Sequence, residues 1–205
     1  MNQKSGLDPV FKDEKNPFIL FNSWMKDAEK SEINDPNAFN LATVDTFGQP
    51  DNRILLLKGQ TDKGFIFYTN LQSKKGRDLK SNPKASMCFH WKSLQRQIRI
   101  QGPVELVDKK TADTYFSSRP YESRIGAWAS SQSEVMKHRD EFEDKVKKFK
   151  KQYSDPNNVP RPEHWSGWHL TPFKIEFWKE VENRLHQRLC YSLIGTSWNK
   201  EILYP

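Results

Sequence analysis

Cysteine is scarce in this sequence, and long hydrophobic runs are absent from it. The two cysteines, Cys88 and Cys190, lie in apolar runs without CxxC spacing, so buried free thiols are expected rather than a disulfide or a metal site. No apolar run approaches the roughly 18 residues of a membrane span, and residues 1–14 lack the hydrophobic core of a signal peptide. These shortages predict a soluble cytoplasmic protein with no metal centre and no membrane partner.

Negative charge is also in short supply. Lysine and arginine together number 33 against 26 aspartate and glutamate, which gives a net charge of +7. This excess indicates an anionic partner, which could be a nucleic acid, an acidic membrane surface or a small phosphorylated molecule. Because 35% of the 205 residues are hydrophobic and 13% aromatic, the chain can bury a substantial core.

Hydrophobic periodicity predicts many short strands with interspersed helices. Asn16 and Pro17 are expected to open a first helix as N-cap and first helical residue. We expect a polar, mobile tail over residues 1–16 and a single domain over 17–205, with mainly β structure and peripheral helices in a β-barrel. Strands are predicted at 40–45, 53–58, 65–69, 84–91, 94–107, 173–179, 184–193 and 198–205, helices at 109–118 and 134–152, and an irregular connection at 154–172.

Two further details of this prediction concern segments rich in one residue type. The strand at 53–58 has four consecutive apolar residues between cations, a pattern typical of a strand that is buried on both faces. The lysine run at 145–151 alternates with apolar residues and indicates a solvated helix face rather than a nucleic-acid contact.

Two short segments have the composition of phosphate sites. Ser73 is a plausible N-cap for a helix that begins with Lys74 and Lys75, and a helix N-terminus flanked by lysines favours a bound anion. Tyr115 and Arg119 lie one helical turn apart with Ser123 just beyond, so their hydroxyl and guanidinium groups could clamp a phosphate. The alternative for this second segment is a local stacking pair of Tyr115 and Arg119.

The segment from Arg184 to Leu189 is the most unusual in the chain. In an extended strand, Arg184, His186 and Arg188 would share one face, about 6.5 Å apart at every second position. Their mutual repulsion favours an anion against that face. The alternative is an edge strand whose basic residues block aggregation.

Six blocks of the sequence carry a family resemblance, and they are Arg53–Lys58, Phe67–Asn70 with Ser73–Lys75, Gln95–Gln97, Tyr115–Pro120, Ile125–Ser133, and Glu176–Trp178 with Arg184–Arg188. In this order they resemble the pyridoxamine 5'-phosphate oxidase family. The resemblance covers roughly residues 17–205 and implies an FMN-binding split β-barrel, with a homodimer that holds FMN in clefts between its subunits.

The resemblance also implies a role for individual residues. The substrate would be bound by Lys58, Tyr115, Arg119, Ser123, Arg184 and His186, and the last two would also act in catalysis by holding the substrate ring against the flavin. Lys74 stands where many relatives have arginine, and the tail lacks the basic, tyrosine-containing segment that some relatives fold over the substrate. FMN would be bound by Arg53, Ile54, Leu55, Leu56, Leu57, Lys58, Tyr68, Thr69, Lys74, Lys75, Gln97, Gln132, Ser133, Trp178 and Arg188.

The implied reaction is the oxidation of pyridoxamine or pyridoxine 5'-phosphate at the 4' carbon, with hydride transfer to the flavin and reduction of O2 to H2O2. A related flavin oxidase for another aromatic substrate, such as a phenazine precursor, would share the FMN blocks. It need not keep Tyr115, Arg119, Ser123, Arg184 and His186 together, and all are present here. A non-catalytic basic binding module without flavin is the alternative from a different class.

Overall fold

The computed structural model describes residues 6–205 and contains mainly antiparallel β-structure with five α-helices around it. This architecture confirms the predicted fold class. The helices are α1 Pro17–Ser31, α2 Lys74–Ser81, α3 Lys109–Ser118, α4 Tyr121–Ala129 and α5 Arg139–Gln152. The strands are β1 Ala38–Val44, β2 Pro50–Leu56, β3 Gly59–Gln60, β4 Phe65–Asn70, β5 Lys84–Trp91, β6 Arg96–Leu106, β7 Trp165–Leu170, β8 Lys174–Lys179, β9 Gln187–Ile194 and β10 Ser197–Leu203.

Strand β6 is the branch point of the sheet. Its first half pairs with β8, and its last residues pair with β7 instead. Through β8 the sheet extends to β9 and β10, and through β5 and β1 it extends to β2. β7 pairs with β4, which in turn pairs with β3 just after β2. The sheet therefore curls back on itself as a split barrel, with a C-terminal hairpin that projects from one wall.

Alternation along the strands separates an apolar interior from an outer face. On β5, Met87, Phe89 and Trp91 are buried, while Cys88 and His90 between them point outward and are more exposed. Helix α1 covers the interior with Phe21 and Trp24, which pack edge-on against Phe65 and Phe177. As predicted, the Asn16 side chain caps α1 by accepting a hydrogen bond from the backbone N–H of Phe18, and Pro17 is its first residue.

The predicted N-terminal tail is shorter than expected. Residues 9–11 form a 3-10 turn, and Phe11, which is 2% exposed, packs against Trp24 at a centroid distance of 5.4 Å. The N–H of Asp8 donates to Oε1 of Gln187 at 2.7 Å, which ties this segment to the start of β9. One buried aromatic residue is enough to attach a polar segment to the domain, and residues 1–5 of the predicted tail lie outside the described residues.

Strand β2 is not buried on both faces as its apolar run predicted. It lies at the end of the main strand path, so Ile54 on its outer face is 64% exposed while Leu55 on the opposite face packs against the core. Because the run is apolar throughout, the sequence did not show that the two faces of β2 differ in exposure.

Three further predictions differ from the structure. The connection predicted to be irregular at 154–172 contains β7, and helix α4 lies in a segment for which no helix was predicted. Helix α5 begins at Arg139 rather than at residue 134. Between residues 6 and 205, no helix is long and apolar enough to cross a membrane.

The predicted strand at 184–193 begins only at Gln187. Asn183 and Arg184 have φ values of 56° and 60°, inside a short 3-10 turn at 182–184. This left-handed backbone is incompatible with an extended strand. Arg184, His186 and Arg188 therefore do not form one strand face, and the argument from strand alternation was wrong.

Candidate active site

A cavity of about 560 Å³ opens where β2, β4, α3 and α4 meet. It brings together residues that are far apart in the sequence, from both the predicted cofactor set and the predicted substrate set. The predicted residues that line it are Ile54, Leu55, Leu56, Lys58, Tyr68, Thr69, Tyr115, Arg119, Ser123 and Gln132.

Stacked aromatic rings form one wall of this cavity. The Tyr68 ring is nearly parallel to the rings of Tyr115, at 3.9 Å and 16°, and Trp165, at 5.2 Å and 9°. Gly167 makes this stack possible, because a Cβ atom there would lie 2.7 Å from Cε1 of Tyr68. Burial raises the pKa of both tyrosines, so their hydroxyl groups remain protonated donors at neutral pH.

Arg119 is the least satisfied cation of the cavity. Its guanidinium lies 4.8 Å from the Trp165 ring centroid, and its Nη1 is buried without a hydrogen-bond partner among residues 6–205. Burial lowers the pKa of Arg119. A buried donor that lacks a partner is costly unless a ligand supplies the acceptor. Since Tyr115 stacks on Tyr68 and Arg119 lies over Trp165, the alternative of a Tyr115–Arg119 stacking pair was wrong.

Helix α2 places a second cation beside the cavity. Ser73 caps α2 as predicted, with Oγ accepting from the N–H of Gly76 at 3.3 Å. Lys75 is 7% exposed, and its Nζ donates to Oε1 of Gln132 at 2.9 Å and to Oγ of Ser73 at 3.1 Å. Burial, helped by the charge of Arg53, lowers the pKa of Lys75 to about 8. An anion nearby would restore its positive charge.

Lys74 and Arg53 belong to a network around Asp78 rather than to the cavity lining. The carboxylate of Asp78 accepts from Nζ of Lys74 at 2.8 Å and from Oγ1 of Thr43 at 2.9 Å. Arg53 donates to the same threonine at 2.8 Å and to Asp51 at 2.6 Å. The hydrogen bond to Asp78 raises the pKa of Lys74, which favours the charged form of this lysine.

The remaining predicted residues lie elsewhere. Leu57 is buried in the core. Ser133, whose backbone has a φ of 72°, lines a neighbouring cavity of about 490 Å³. Gln97, Trp178 and Arg188 lie side by side on β6, β8 and β9. The His186 ring packs on Trp178 at 4.7 Å. The C-terminal group, defined here as Gln97, Trp178, Arg184, His186 and Arg188, contributes no residue to the lining of the first cavity.

The sheet separates the cavity from the C-terminal group. A row of paired residues crosses its outer face from Ile54, through Asn40, Cys88, Arg99 and Glu176, to Cys190. These five steps of about 4.8 Å span roughly 24 Å along the sheet. One chain thus carries two separate parts of the predicted site.

Trp165 is the main cavity residue that the sequence analysis missed. It stacks on Tyr68 and lies under Arg119, yet it is in the segment predicted to be irregular. Asn70, Gly126, Ala127, Ser130 and Phe142 also line the cavity and were not predicted. Strand β7 is buried at five of its six positions, so its sequence has no apolar–polar alternation to indicate a strand, and prolines flank it.

The fold and the cavity together define a split-barrel protein with a basic, aromatic-walled cavity. A family model described as pyridoxamine 5'-phosphate oxidase matches residues 25–153, and one described as pyridoxine 5'-phosphate oxidase C-terminal dimerisation region matches residues 165–205. The chain belongs to the pyridoxamine 5'-phosphate oxidase family. The second match supports a homodimer.

Curated relatives agree with this assignment over the full length of the chain. A pyridoxine/pyridoxamine 5'-phosphate oxidase of Pelagibacter ubique (strain HTCC1062) is 56% identical and is covered completely, as is this chain. The protein of the same name from Sinorhizobium fredii is 51% identical over 95% of each chain.

Solved structures show the same fold. PhzG from Burkholderia lata 383, in complex with tetrahydrophenazine-1-carboxylic acid, has a TM-score of 0.90 at 27% identity over 97% of each chain. A pyridoxamine 5'-phosphate oxidase-related, FMN-binding protein from Nostoc punctiforme has a TM-score of 0.74 at 18% identity, over 92% of this chain and 98% of its own.

Proposed function

We propose that the protein is an FMN-dependent oxidase that converts pyridoxamine 5'-phosphate and pyridoxine 5'-phosphate to pyridoxal 5'-phosphate. The observation that carries this proposal is the buried, unpartnered Nη1 of Arg119 in a cavity that also contains Lys58, Tyr115 and Ser123. Two cations and two hydroxyl groups suit a phosphate monoester. The adjacent stack of Tyr68 and Trp165 supplies an apolar wall suited to a planar ring.

The cofactor side of the proposal rests on the chemistry of the donor set. Arg53, Lys74 and Lys75 are cations around the start of α2, and burial lowers the pKa of Lys75 to about 8, so a bound phosphate would stabilise its charged form. Thr69 and Gln132 offer a hydroxyl and an amide beside them. These groups fit the phosphate and the polar chain of FMN. Bound FMN would supply a two-electron acceptor that O2 can reoxidise.

A homodimer would complete this site. The path from Ile54 on β2 to Cys190 on β9 is about 24 Å along one sheet, and we propose that each site combines the cavity of one subunit with the C-terminal group of its partner. The exposed Ile54 on the outer face of β2, and Ile202 on β10, which is 53% exposed, suit burial between two subunits. FMN would then lie at the subunit interface.

Within this site, Arg184 and His186 would orient the substrate. The Nδ1 atom of His186 accepts a hydrogen bond from the N–H of Val181 at 3.3 Å, so in the neutral ring the proton resides on Nε2, which is left as a donor. Arg184 adds a permanent positive charge two residues away. Together they would hold the substrate ring so that its 4' carbon faces the acceptor, and alignment is the main contribution required of the protein.

The overall reaction balances without any further cofactor. The alcohol substrate loses two hydrogens, as a hydride equivalent and a proton, and O2 takes up two electrons and two protons to leave as H2O2. The amine substrate is first oxidised to an imine, which water hydrolyses to the aldehyde and ammonia. Arg184 and His186 are the nearest candidates for stabilising charge on the substrate ring during this loss.

A related oxidase for phenazine precursors is the second candidate, because the structure is similar to that of PhzG. Identity to that protein is 27%, against 56% to the pyridoxine/pyridoxamine 5'-phosphate oxidase of Pelagibacter ubique. The cavity also retains Tyr115, Arg119 and Ser123 together, a donor set that suits the three terminal oxygens of a phosphate monoester. These observations favour the phosphorylated pyridine.

A visible absorption spectrum tests the proposal directly. The protein loaded with FMN is expected to lose its flavin absorption on anaerobic addition of pyridoxine 5'-phosphate and to regain it in air as the aldehyde forms. Flavin bands that do not respond to either vitamin B6 phosphate would exclude this substrate class. A protein that does not bind FMN at all would favour the alternative, a non-catalytic module with a basic binding surface.

A further inference from the structure

The outer face of β8 carries a buried carboxylate that the proposed mechanism does not use. Glu176 is 5% exposed although its side chain is on the outer face of the sheet. Its Oε1 accepts a hydrogen bond from Nε of Arg188 at 2.9 Å and lies 2.9 Å from Nη2 of the same arginine in an ion pair, and its Oε2 accepts from Nη1 of Arg99 at 3.3 Å. One buried carboxylate thus lies between two arginines on neighbouring strands.

The geometry of Arg188 is fixed from two sides. Nη1 of Arg188 also donates to the backbone oxygen of Tyr204 at 3.0 Å, next to the last residue of the chain. A guanidinium has five N–H donors. Nε donates to Glu176, Nη1 donates to Tyr204 and Nη2 is in the ion pair with Glu176, so at least two N–H groups remain without a hydrogen bond. The side chain of Arg188 is still 26% exposed, and the remaining donors can meet a ligand.

Simple stabilisation of the sheet does not account well for this arrangement. A buried ion pair gains little over well-packed apolar residues, because both charges lose their hydration. Arg99 and Arg188 also leave the cluster with more positive than negative charge. An arginine held in one orientation by a carboxylate, with donors to spare, is the arrangement expected of a ligand-binding group with a supporting partner.

We propose that Glu176 is a positioning residue, which holds Arg188 in the orientation that binds the flavin cofactor. This inference rests on the proposed function, in which Arg188 contacts FMN across the dimer. Without the carboxylate, Arg188 would be free to rotate, and binding would have to restrict its rotamers at an entropic cost. Glu176 would therefore contribute to FMN affinity without touching FMN.

The test compares FMN dissociation constants of apoproteins by quenching of flavin fluorescence. Glu176→Gln preserves the size of the side chain but removes the charge that holds Arg188. It is expected to raise the dissociation constant about tenfold, because this factor corresponds to the lower end of the free energy contributed by a charge-assisted hydrogen bond. In an Arg188→Ala background, the same substitution is expected to change the constant less than about twofold, because the residue that it positions is gone.

Controls separate positioning from a general loss of structure. Arg99→Gln removes the other partner of Glu176 and is expected to leave FMN affinity within about twofold of the unmodified protein. The thermal midpoint of each apoprotein and its dimeric state in gel filtration are measured alongside. If Glu176→Gln does not fold, Glu176→Asp keeps the charge with a shorter reach and is expected to weaken FMN binding in the same background-dependent way.

Two results would overturn the proposal. One is an unchanged dissociation constant for Glu176→Gln, and the other is an equal loss of affinity with and without Arg188, which would assign Glu176 a structural role only. Failure of the unmodified apoprotein to bind FMN would instead contradict the proposed function, so the two failures are distinguishable.

Discussion

The guanidinium of Arg119 lies 4.8 Å from the ring centroid of Trp165, with one buried nitrogen that has no partner within the described part of the chain. The two residues come from α3 and β7, so the fold creates this contact. Arg119 is the C-cap of α3, and β7 lies beside β4. The tryptophan restricts the guanidinium from one side and leaves its donors directed at the cavity.

Arg119→Ala is expected to lower kcat/KM for pyridoxine 5'-phosphate roughly 10- to 100-fold, as expected for the loss of a charge-assisted hydrogen bond. Steady-state kinetics would measure this effect, and FMN content should not change. Unphosphorylated pyridoxine is the matched control, because its poor turnover should be the same in both proteins. Equal losses with and without the phosphate would remove Arg119 from phosphate recognition.

FMN binding is expected to weaken as the pH rises above about 8. In the free protein burial lowers the pKa of Lys75 to about 8, and a bound phosphate would raise it. The complex therefore holds a proton that the free protein loses above pH 8, so affinity is constant below this pH and falls above it. Titrations with FMN from pH 6.5 to pH 9.5 would show this dependence. The Lys75→Met variant should bind FMN weakly, and its affinity should not fall between pH 6.5 and pH 9.5. An affinity of the unmodified protein that rises above pH 8 would contradict the assignment.

Arg184→Ala is expected to retain FMN but lose most of its turnover, because Arg184 is proposed to contact the substrate rather than the cofactor. Flavin absorbance of the purified variant and its rate of aldehyde formation would be measured together. Arg188→Ala is the matched comparison, and it should lose flavin instead. Normal turnover by Arg184→Ala would exclude this residue from the mechanism.

Phe11→Ala is expected to destabilise the protein by about 3 kcal/mol, the usual cost of removing a buried phenylalanine side chain. Phe11 is 2% exposed and packs on Trp24. Thermal or urea unfolding would measure the loss, and Lys12→Ala, at an exposed neighbour, should change the free energy of unfolding by less than about 0.5 kcal/mol. Equal stability of the Phe11→Ala variant would mean that residues 8–14 do not belong to the domain.

Elements with strong local signals were predicted well from the sequence. Helix α1 has a cap and an apolar stripe, α2 has the cap Ser73, and β5 and β6 alternate clearly. Strand β7 was missed because its partners, β4 and the end of β6, are distant in sequence. Alternation also gave no warning of the left-handed backbone at Asn183 and Arg184, since neither residue is a glycine.

The candidate site was predicted only in part, for a different reason. The family blocks selected Lys58, Tyr68, Tyr115, Arg119 and Gln132, and the fold brings these residues to one cavity. The blocks give no indication that Gln97, Trp178 and Arg188 lie side by side on β6, β8 and β9, away from the cavity lining. In the proposed composite site, the residues that meet depend on the pairing of two chains, and that arrangement is not encoded in any local pattern.

The most direct test of the composite site is complementation between two inactive variants. Arg119→Ala lacks the cavity function and Arg184→Ala lacks the C-terminal function, and each alone should have little activity. After subunits are mixed in equal amounts and allowed to exchange, half of the dimers are expected to be mixed, each with one intact site and one doubly altered site. Activity should therefore recover to about a quarter of that of the unmodified protein. No recovery despite confirmed subunit exchange would place both residues in the same subunit's site and contradict the account.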